Sequence, residues 1–468
     1  MYQHLNTRKQ FIKRVITYCL MTLAVIIGVA GTTAWILGYR LNFQEEQSVE
    51  RITLLQFGSF PTGANVFVND QQLNFNTPGR YDSARPGENE LKYQLEGYHN
   101  WQTTVHLEPA EVRWMNYARM VPNEIVSTDS LEVVNFYQAV SAPNGNLILL
   151  HEVAETPKFK IIDISDPNNA KVTEIEIPEA VLVGEVRNIH IVEWDSNSTF
   201  ILLNQDGNIL RLDRRDPTNT INLTDFFGVK IDDPHFLNGN SNIVFGLTDT
   251  SLRRFDIRAK TTSAPLVTDV VSYEAYGDGK LSYVSQIDGK QNVGVFFKDK
   301  NYTMGTFDDI KETFASFVNY YRDDFFIFAR DSKIEIIKHP FSNNSSEVTI
   351  LETSFKADHL FHNGGGRMIL ATSGNEVFTY DLETKVEYGF DLESFDKKPF
   401  WLDDFHLGYV HDGELKMIEF SGDNRESLVP ATNFGVFSSN NERLFTFRKT
   451  DNGAVFVDSS MLAAKQIN

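Results

Sequence analysis

From about residue 130 onward the chain repeats one β-unit roughly every forty residues, and few architectures accept such a repeat. Each unit is a polar turn, an apolar run, a second turn and another apolar run that often ends in Asp. One copy shows all the parts: Asp195-Ser196, Phe200 to Leu203, Asp206-Gly207, Ile209 to Asp213. Later copies carry Asp278-Gly279 with Asp288-Gly289, Asp412-Gly413 and Asn452-Gly453 at the same places. Asp-Gly and Asn-Gly suit two-residue hairpin turns, because both central residues must take positive φ. Tight hairpins at this period predict a β-propeller of seven or eight blades. An array of β-sandwiches would need units of about a hundred residues. The last unit leaves little chain for a fourth strand, whereas residues 125 to 134 precede the first unit and are placed to supply it. Pairing them with the last unit would join the first blade to the last and protect the sheet edges.

The run Ser141-Ala142-Pro143-Asn144-Gly145-Asn146-Leu147 resembles the Ser-Pro-Asp-Gly-Lys-x-Leu turn of Tol-system and tryptophan-aspartate-type propellers. No other unit has it, so it supports the fold rather than membership of either group.

Residues 51 to 122 read as a separate small β-domain of short alternating strands. Ala64 to Val68 alternates into the turn pair Asn69-Asp70, and Pro78-Gly79 and Pro86-Gly87 mark further reversals. The order Ser59, Pro61, Gly63, Ala64, Val66, Val68, then Thr77-Pro78, Pro86-Gly87, Gly97-Tyr98 and Trp101 resembles the PEGA domain, a small β-sandwich of prokaryotic surface proteins. Two turn positions depart from that pattern: Asn69-Asp70-Gln71 stands in place of Asp-Gly, and Phe75 in place of Gly. The resemblance implies a cell-envelope setting and a role in association rather than catalysis. Within this domain Tyr98, Trp101 and Trp114 are the candidate ligand-binding residues, as an aromatic platform for a sugar ring. The competing reading, that they fill the sandwich core, is favoured because aromatics dominate the packing of small domains.

Ahead of that domain, Val15 to Leu37 runs twenty-three residues without a charge. At about 1.5 Å per residue it is long enough to cross a bilayer. Arg8, Lys9, Lys13 and Arg14 precede it, while Arg40 is followed by Glu45 and Glu46, so the positive-inside bias puts the N-terminus in the cytoplasm. A cleaved signal peptide fits less well, since Trp35, Ile36, Leu37 and Tyr39 follow Ala34 where a small-residue exit is expected. A buried helix of a soluble domain is the third reading. The expected organisation is therefore a cytoplasmic tail (1–14), a transmembrane helix (15–37), a linker (38–50), the PEGA-like sandwich (51–122) and the propeller (125–468).

The formal net charge is −20, and beyond residue 41 the chain holds 63 acidic residues against 38 basic. So acidic a segment has no evident use for nucleic acid or anionic lipid headgroups. Cys19, the single cysteine, lies in the apolar segment, so disulfides play no part in the rest.

Motifs for chemistry are scarce. HExxH, a Walker loop, zinc-spaced cysteines and GxSxG do not occur. Gly364-Gly365-Gly366 falls between two strands rather than before a helix, which argues against a phosphate cradle. His359 with His362, and His406 with His411, sit at odd spacings that send side chains to opposite faces of a strand. Asp195-x-Asn197-x-Thr199 begins like a calcium loop but has Phe200 where Gly is required. No catalytic residue, metal ligand or cofactor is expected. The pairs Asp232-Asp233, Asp308-Asp309, Asp323-Asp324 and Asp403-Asp404 would serve a glycosidase only if two of them converged on one cleft. The expected function is a non-catalytic binding or scaffolding module at the cell envelope. It would be anchored in the lipid bilayer and engage an envelope protein or glycan. The alternatives are an extracytoplasmic propeller enzyme acting on glycans or peptides, and an envelope-assembly or signalling accessory.

Overall fold

The computed structural model describes residues 7–36, 39–41, 49–166, 169–185, 188–342, 346–395 and 398–464. The first six residues of the expected tail and positions 42–48 of the expected linker lie outside the described residues. The chain divides into two compact units, residues 1–123 and 124–468.

In the first unit the apolar segment is one helix, Thr7–Ile36, whose stretch Phe11–Trp35 is long and apolar enough to span a membrane. None of its most apolar window is buried. Part of the expected linker is structured, because Tyr39–Leu41 pairs antiparallel with Val49–Arg51.

The small domain is a sandwich of a three-stranded and a four-stranded sheet. One pairing in it is parallel. Its first strand, Thr53–Phe60, and its last, Val112–Arg119, lie side by side and parallel. The remaining strands fold between them, so the chain enters and leaves along one sheet. Leu55, Phe57, Val66, Leu91, Tyr93 and Trp101 fill the space between the sheets. The residues that signal the family are fastened together at one end. Thr77 Oγ1 accepts the backbone N–H groups of Gly63 (3.1 Å) and Ala64 (3.0 Å) and lies 2.6 Å from Ser59 Oγ. Gly63 sits at φ 96°, a conformation that glycine adopts without a Cβ clash.

The second unit contains eight four-stranded antiparallel sheets among the described residues, which makes it an eight-bladed propeller. Blades 1 to 7 span residues 138–176, 189–222, 232–262, 270–307, 313–352, 359–391 and 400–430. Blade 8 takes three strands from residues 435–460 and its fourth from Ser127–Val133. That strand lies antiparallel to Gly453–Ser460, with Ser127 opposite Ser459 and Val133 opposite Ala454. The ring is thus closed by the segment ahead of the first blade, where the repeat called for it. Arg448 and Asp129 reinforce the seam with an ion pair at 2.7 Å.

The middle strands of each blade are buried on both faces, as in Leu147–His151 and Met368–Ser373. Unbroken apolar runs, rather than strict alternation, follow from that. Core layers lie between successive blades: Leu149, Ile161, Ile191 and Leu203 between blades 1 and 2, and Val284, Val295, Phe317 and Phe326 between blades 4 and 5. Outer strands such as Glu347–Glu352 are mostly exposed.

Strand direction alternates within a blade, so the turns sort onto two faces of this unit. The turns joining strands one to two and three to four share one face. Those joining strands two to three share the other with the links between blades. On the latter, Asp206-Gly207, Asp288-Gly289 and Asp412-Gly413 all have positive φ at both residues, as their sequence required.

Candidate functional site

The three aromatic candidates do not form a platform. Tyr98 is 5% and Trp101 2% exposed, whereas Trp114 is 45% exposed on the outer side of Val112–Arg119. Trp101 packs against Tyr93 at 4.5 Å between ring centroids and edge-on to Tyr117 at 5.8 Å. A seventy-residue sandwich has little else with which to fill its interior, and two of the three rings are used for that purpose.

The paired carboxylates also fail to converge. Asp232-Asp233 and Asp308-Asp309 lie on the face of the inter-blade links, whereas Asp323-Asp324 and Asp403-Asp404 lie on the opposite face. Within each pair the two side chains go to different partners. Asp232 meets Lys230 and Asp233 meets His235; Asp323 meets Lys338, while Asp324 accepts from Asn319. Asp195 is a turn former: its Oδ1 accepts the backbone N–H groups of Thr199 (2.6 Å) and Phe200 (2.8 Å). Gly365 N–H donates to Asp404 Oδ1 at 2.9 Å, which ties the triple glycine to the next blade. Among the described residues, no group of three or more His, Cys, Asp or Glu side chains is arranged to hold a metal ion.

Two histidines sit instead between carboxylates. On the inner strand of blade 3, His235 Nδ1 lies 3.0 Å from Glu193 Oε2 and its Nε2 lies 3.4 Å from Asp233 Oδ1. Burial opposes its charge, but the hydrogen bonds and charges of Asp233 and Glu193 outweigh burial and hold the imidazole at a pKa of about 10. In blade 7, His406 is 2% exposed, with Nδ1 2.7 Å from Asp403 Oδ1 and Nε2 3.6 Å from Glu419 Oε1. Burial again lowers its pKa, and Asp403 and Glu419 raise it to about 9. Both imidazoles are held charged near neutral pH. His235 binds blade 3 to blade 2 through Glu193, and His406 binds the Asp403 turn to its strand, while its Nε2 is buried without a hydrogen bond.

The face that carries the turns between first and second strands has a different feature. The turns between third and fourth strands on this face place Lys260, Lys298, His339 and Lys385 at positive φ, whereas at those between first and second strands the left-handed positions are held by Gly145, Ser198, Gly239, Gly279, Gly366 and Asn441 in six of the blades. In blade 5 the same turn is Tyr321-Arg322, at φ 48° and 71°. An L-residue with a large side chain is costly there, by about 1–2 kcal/mol each. Tyr321 is 77% exposed and packs edge-on against Tyr320 at 4.8 Å. Beside the two rings is a cavity of about 230 Å³ between blades 5 and 6, lined by Tyr320, Tyr321, Lys338, Tyr380, Glu383 and Lys385 among others.

Its polar walls are fixed by mutual pairing. Arg367 donates twice to Asp381, at 2.9 and 2.7 Å, and also pairs with Glu383. Tyr320 O–H donates to Glu383 Oε2 at 3.0 Å, and burial raises the pKa of that phenol. Lys338 meets Asp323 at 2.9 Å. The arrangement is a preformed recess with an aromatic lip. Sequence inspection passed over it because Tyr-Arg is not a turn signal. Comparing the eight units at the turn position was the signal available.

Residues 53–120 match the PEGA domain. No curated protein sequence matches the chain. Solved structures similar to it include the Dos1 propeller, at 13% identity and a TM-score of 0.47, over 72% of this chain and 94% of that one. The β-propeller domain of Cps50 (Swd1) from Myceliophteria thermophila is similar at 10% identity and a TM-score of 0.41, over 66% of this chain and all of that domain. PorZ, a bacterial surface component of the type-IX secretion system of Porphyromonas gingivalis, is similar at 11% identity and a TM-score of 0.41, over 69% of this chain and 43% of that one.

Proposed function

We propose that this chain is a single-pass membrane protein with a cytoplasmic N-terminus, and that its propeller is a non-catalytic module that docks a protein partner of the cell envelope. The turn Tyr321-Arg322 carries the reading. Tyr and Arg dominate the energetics of protein interfaces, and a strained turn that presents both, where six of the other blades use Gly, Ser or Asn at the same turn, favours recognition over folding. The recess of Tyr320, Tyr380 and Lys385 beside it has the size for one anchoring side chain. The helix Phe11–Trp35, with basic residues on its N-terminal side, supports the anchor and its direction.

A double substitution, Tyr321→Asn with Arg322→Gly, separates binding from folding. Removing left-handed strain should stabilise the propeller by about 1–2 kcal/mol. The same variant should lose the envelope protein that the full-length, detergent-solubilised chain retains in crosslinking from membranes. Unchanged retention by the variant overturns the assignment of this site. Turnover of a glycan or peptide by the purified full-length protein would overturn the non-catalytic reading.

A further inference from the structure

A second surface of the propeller differs from this recess in place and chemistry. The outer strand of blade 3 is broken. Thr261–Thr262 pairs with Phe255 and Asp256, Ser263 still exchanges hydrogen bonds with Arg254 (2.9 and 3.0 Å), the chain leaves the strand at Ala264 and Pro265, and contact resumes at Leu266 and Val267, both bonded to Leu252 at 2.8 and 2.9 Å. Blade 4, by contrast, has four strands of seven or eight residues each. The outer part of its face toward blade 3 is therefore left uncovered, and a groove of about 530 Å³ opens there. That volume falls in the range of small-ligand sites, about 300–1,000 Å³.

The floor of the groove is Ser285, Asn292, Asn301, Thr303 and Thr306. Leu266, Val267 and Thr268 form one wall, and Ile287, 40% exposed, lies at the edge. No charged side chain lines it, although the chain as a whole carries a net charge of −20. The groove between blades 4 and 5, for comparison, is lined by Arg330, Asp331, Lys333, Glu335, Glu352 and Lys356. Tyr283 O–H donates to Asn301 Oδ1 at 2.6 Å, and Thr306 Oγ1 donates to Asn292 Oδ1 at 2.8 Å. With each amide oxygen engaged, each amide NH2 group remains as a donor to the groove. Gly294 makes this geometry possible. A Cβ there would lie 2.5 Å from Tyr283 Oη and from Tyr302 O, so only glycine lets the tyrosine cross the sheet to reach Asn301.

We infer that this groove binds a neutral polyhydroxylated ligand, one or a few sugar units of a glycan. Amide donors and hydroxyl groups that both donate and accept match the vicinal hydroxyls of a sugar, and Leu266 and Ile287 match its C–H faces. An uncharged lining offers a phosphate or carboxylate no cation to offset the loss of its hydration. A peptide is a poorer match, because the floor presents side chains of a sheet face and not the backbone edge that pairs with an added strand.

The test titrates neutral oligosaccharides of glucose, galactose and mannose into the full-length protein in detergent, with binding read by saturation-transfer NMR. The expected result is binding of at least one neutral oligosaccharide, weakened tenfold or more by Thr306→Val and by Asn292→Ala, and abolished by Thr268→Glu, which brings a charge to the exposed wall. Tyr321→Asn with Arg322→Gly should leave it unchanged, so failure here and failure of the docking site are distinguishable. Absence of binding by every neutral sugar, equal binding by the groove variants, or displacement of the sugar by a Ser/Thr-rich peptide would each overturn the inference.

Discussion

The small sandwich and the propeller differ in what they can leave on the surface. In the sandwich, Tyr93, Tyr98 and Trp101 are consumed by a core that two short sheets cannot otherwise fill. The layers between blades bury aromatics too, among them Phe317, Phe326, Tyr283 and Tyr409, but the propeller still leaves Tyr321 exposed at a turn. A small domain has little surface to spare for recognition once its interior is packed. A large repeat can place a recognition element on one unit, because the other seven already specify the fold. The residues to suspect in such a chain are those where one repeat breaks the rule its siblings obey.

The largest expected effect tests the sandwich half of this contrast. Trp101→Ala should destabilise the small domain by about 3–5 kcal/mol, whereas Trp114→Ala should stay within about 0.5 kcal/mol. Hydrogen-exchange mass spectrometry of the full chain resolves the two units. Protection should collapse in residues 53–119 of the first variant and persist in blades 1 to 8. Comparable losses for both tryptophans would mean that Trp114 is packed in solution.

Next in size is the polar fastening that carries the family signature. Thr77→Val keeps the side-chain volume but removes the acceptor for Ala64 N–H, which has no other hydrogen bond in the turn. The cost should be about 2 kcal/mol, from one buried donor left unsatisfied. Gly63 N–H retains the backbone oxygen of Thr77 at 2.8 Å and so adds little. A denaturation midpoint for the sandwich that does not move would show that water replaces the hydroxyl.

The fold was legible to the extent that local chemistry and period dictate it. Asp206-Gly207 and Asp288-Gly289 could only be tight turns, and the forty-residue period left few closed forms. Even the closing strand could be placed, because the eighth unit lacked a partner for Gly453–Ser460. Long-range pairing was less accessible. The parallel contact of Thr53–Phe60 with Val112–Arg119 joins strands fifty residues apart and leaves no mark on either. The site was still harder to see. Composition marked Trp101 and Tyr98 as candidates, but burial is decided by neighbours in space. Tyr321 and the groove on blade 4 became visible only once the blades could be compared turn by turn and strand by strand.

A further comparison separates the two units by pH. His235 and His406 hold their protons more tightly when folded than at the ordinary imidazole value of 6.5. Their contribution to stability is therefore complete below about pH 6.5 and is lost as pH rises through about 9 for His406 and about 10 for His235. In the sandwich His106 meets Glu88 at 2.8 Å, but both are well exposed, and surface pairs contribute little. Raising the pH from 7 toward 10 should lower the melting temperature of the propeller and leave that of the sandwich nearly constant. His406→Gln should lower propeller stability at pH 7 and flatten this dependence, since one of the two protons is then no longer released on unfolding. A propeller transition that does not shift over this interval would show that the two imidazoles are not held charged by their carboxylates.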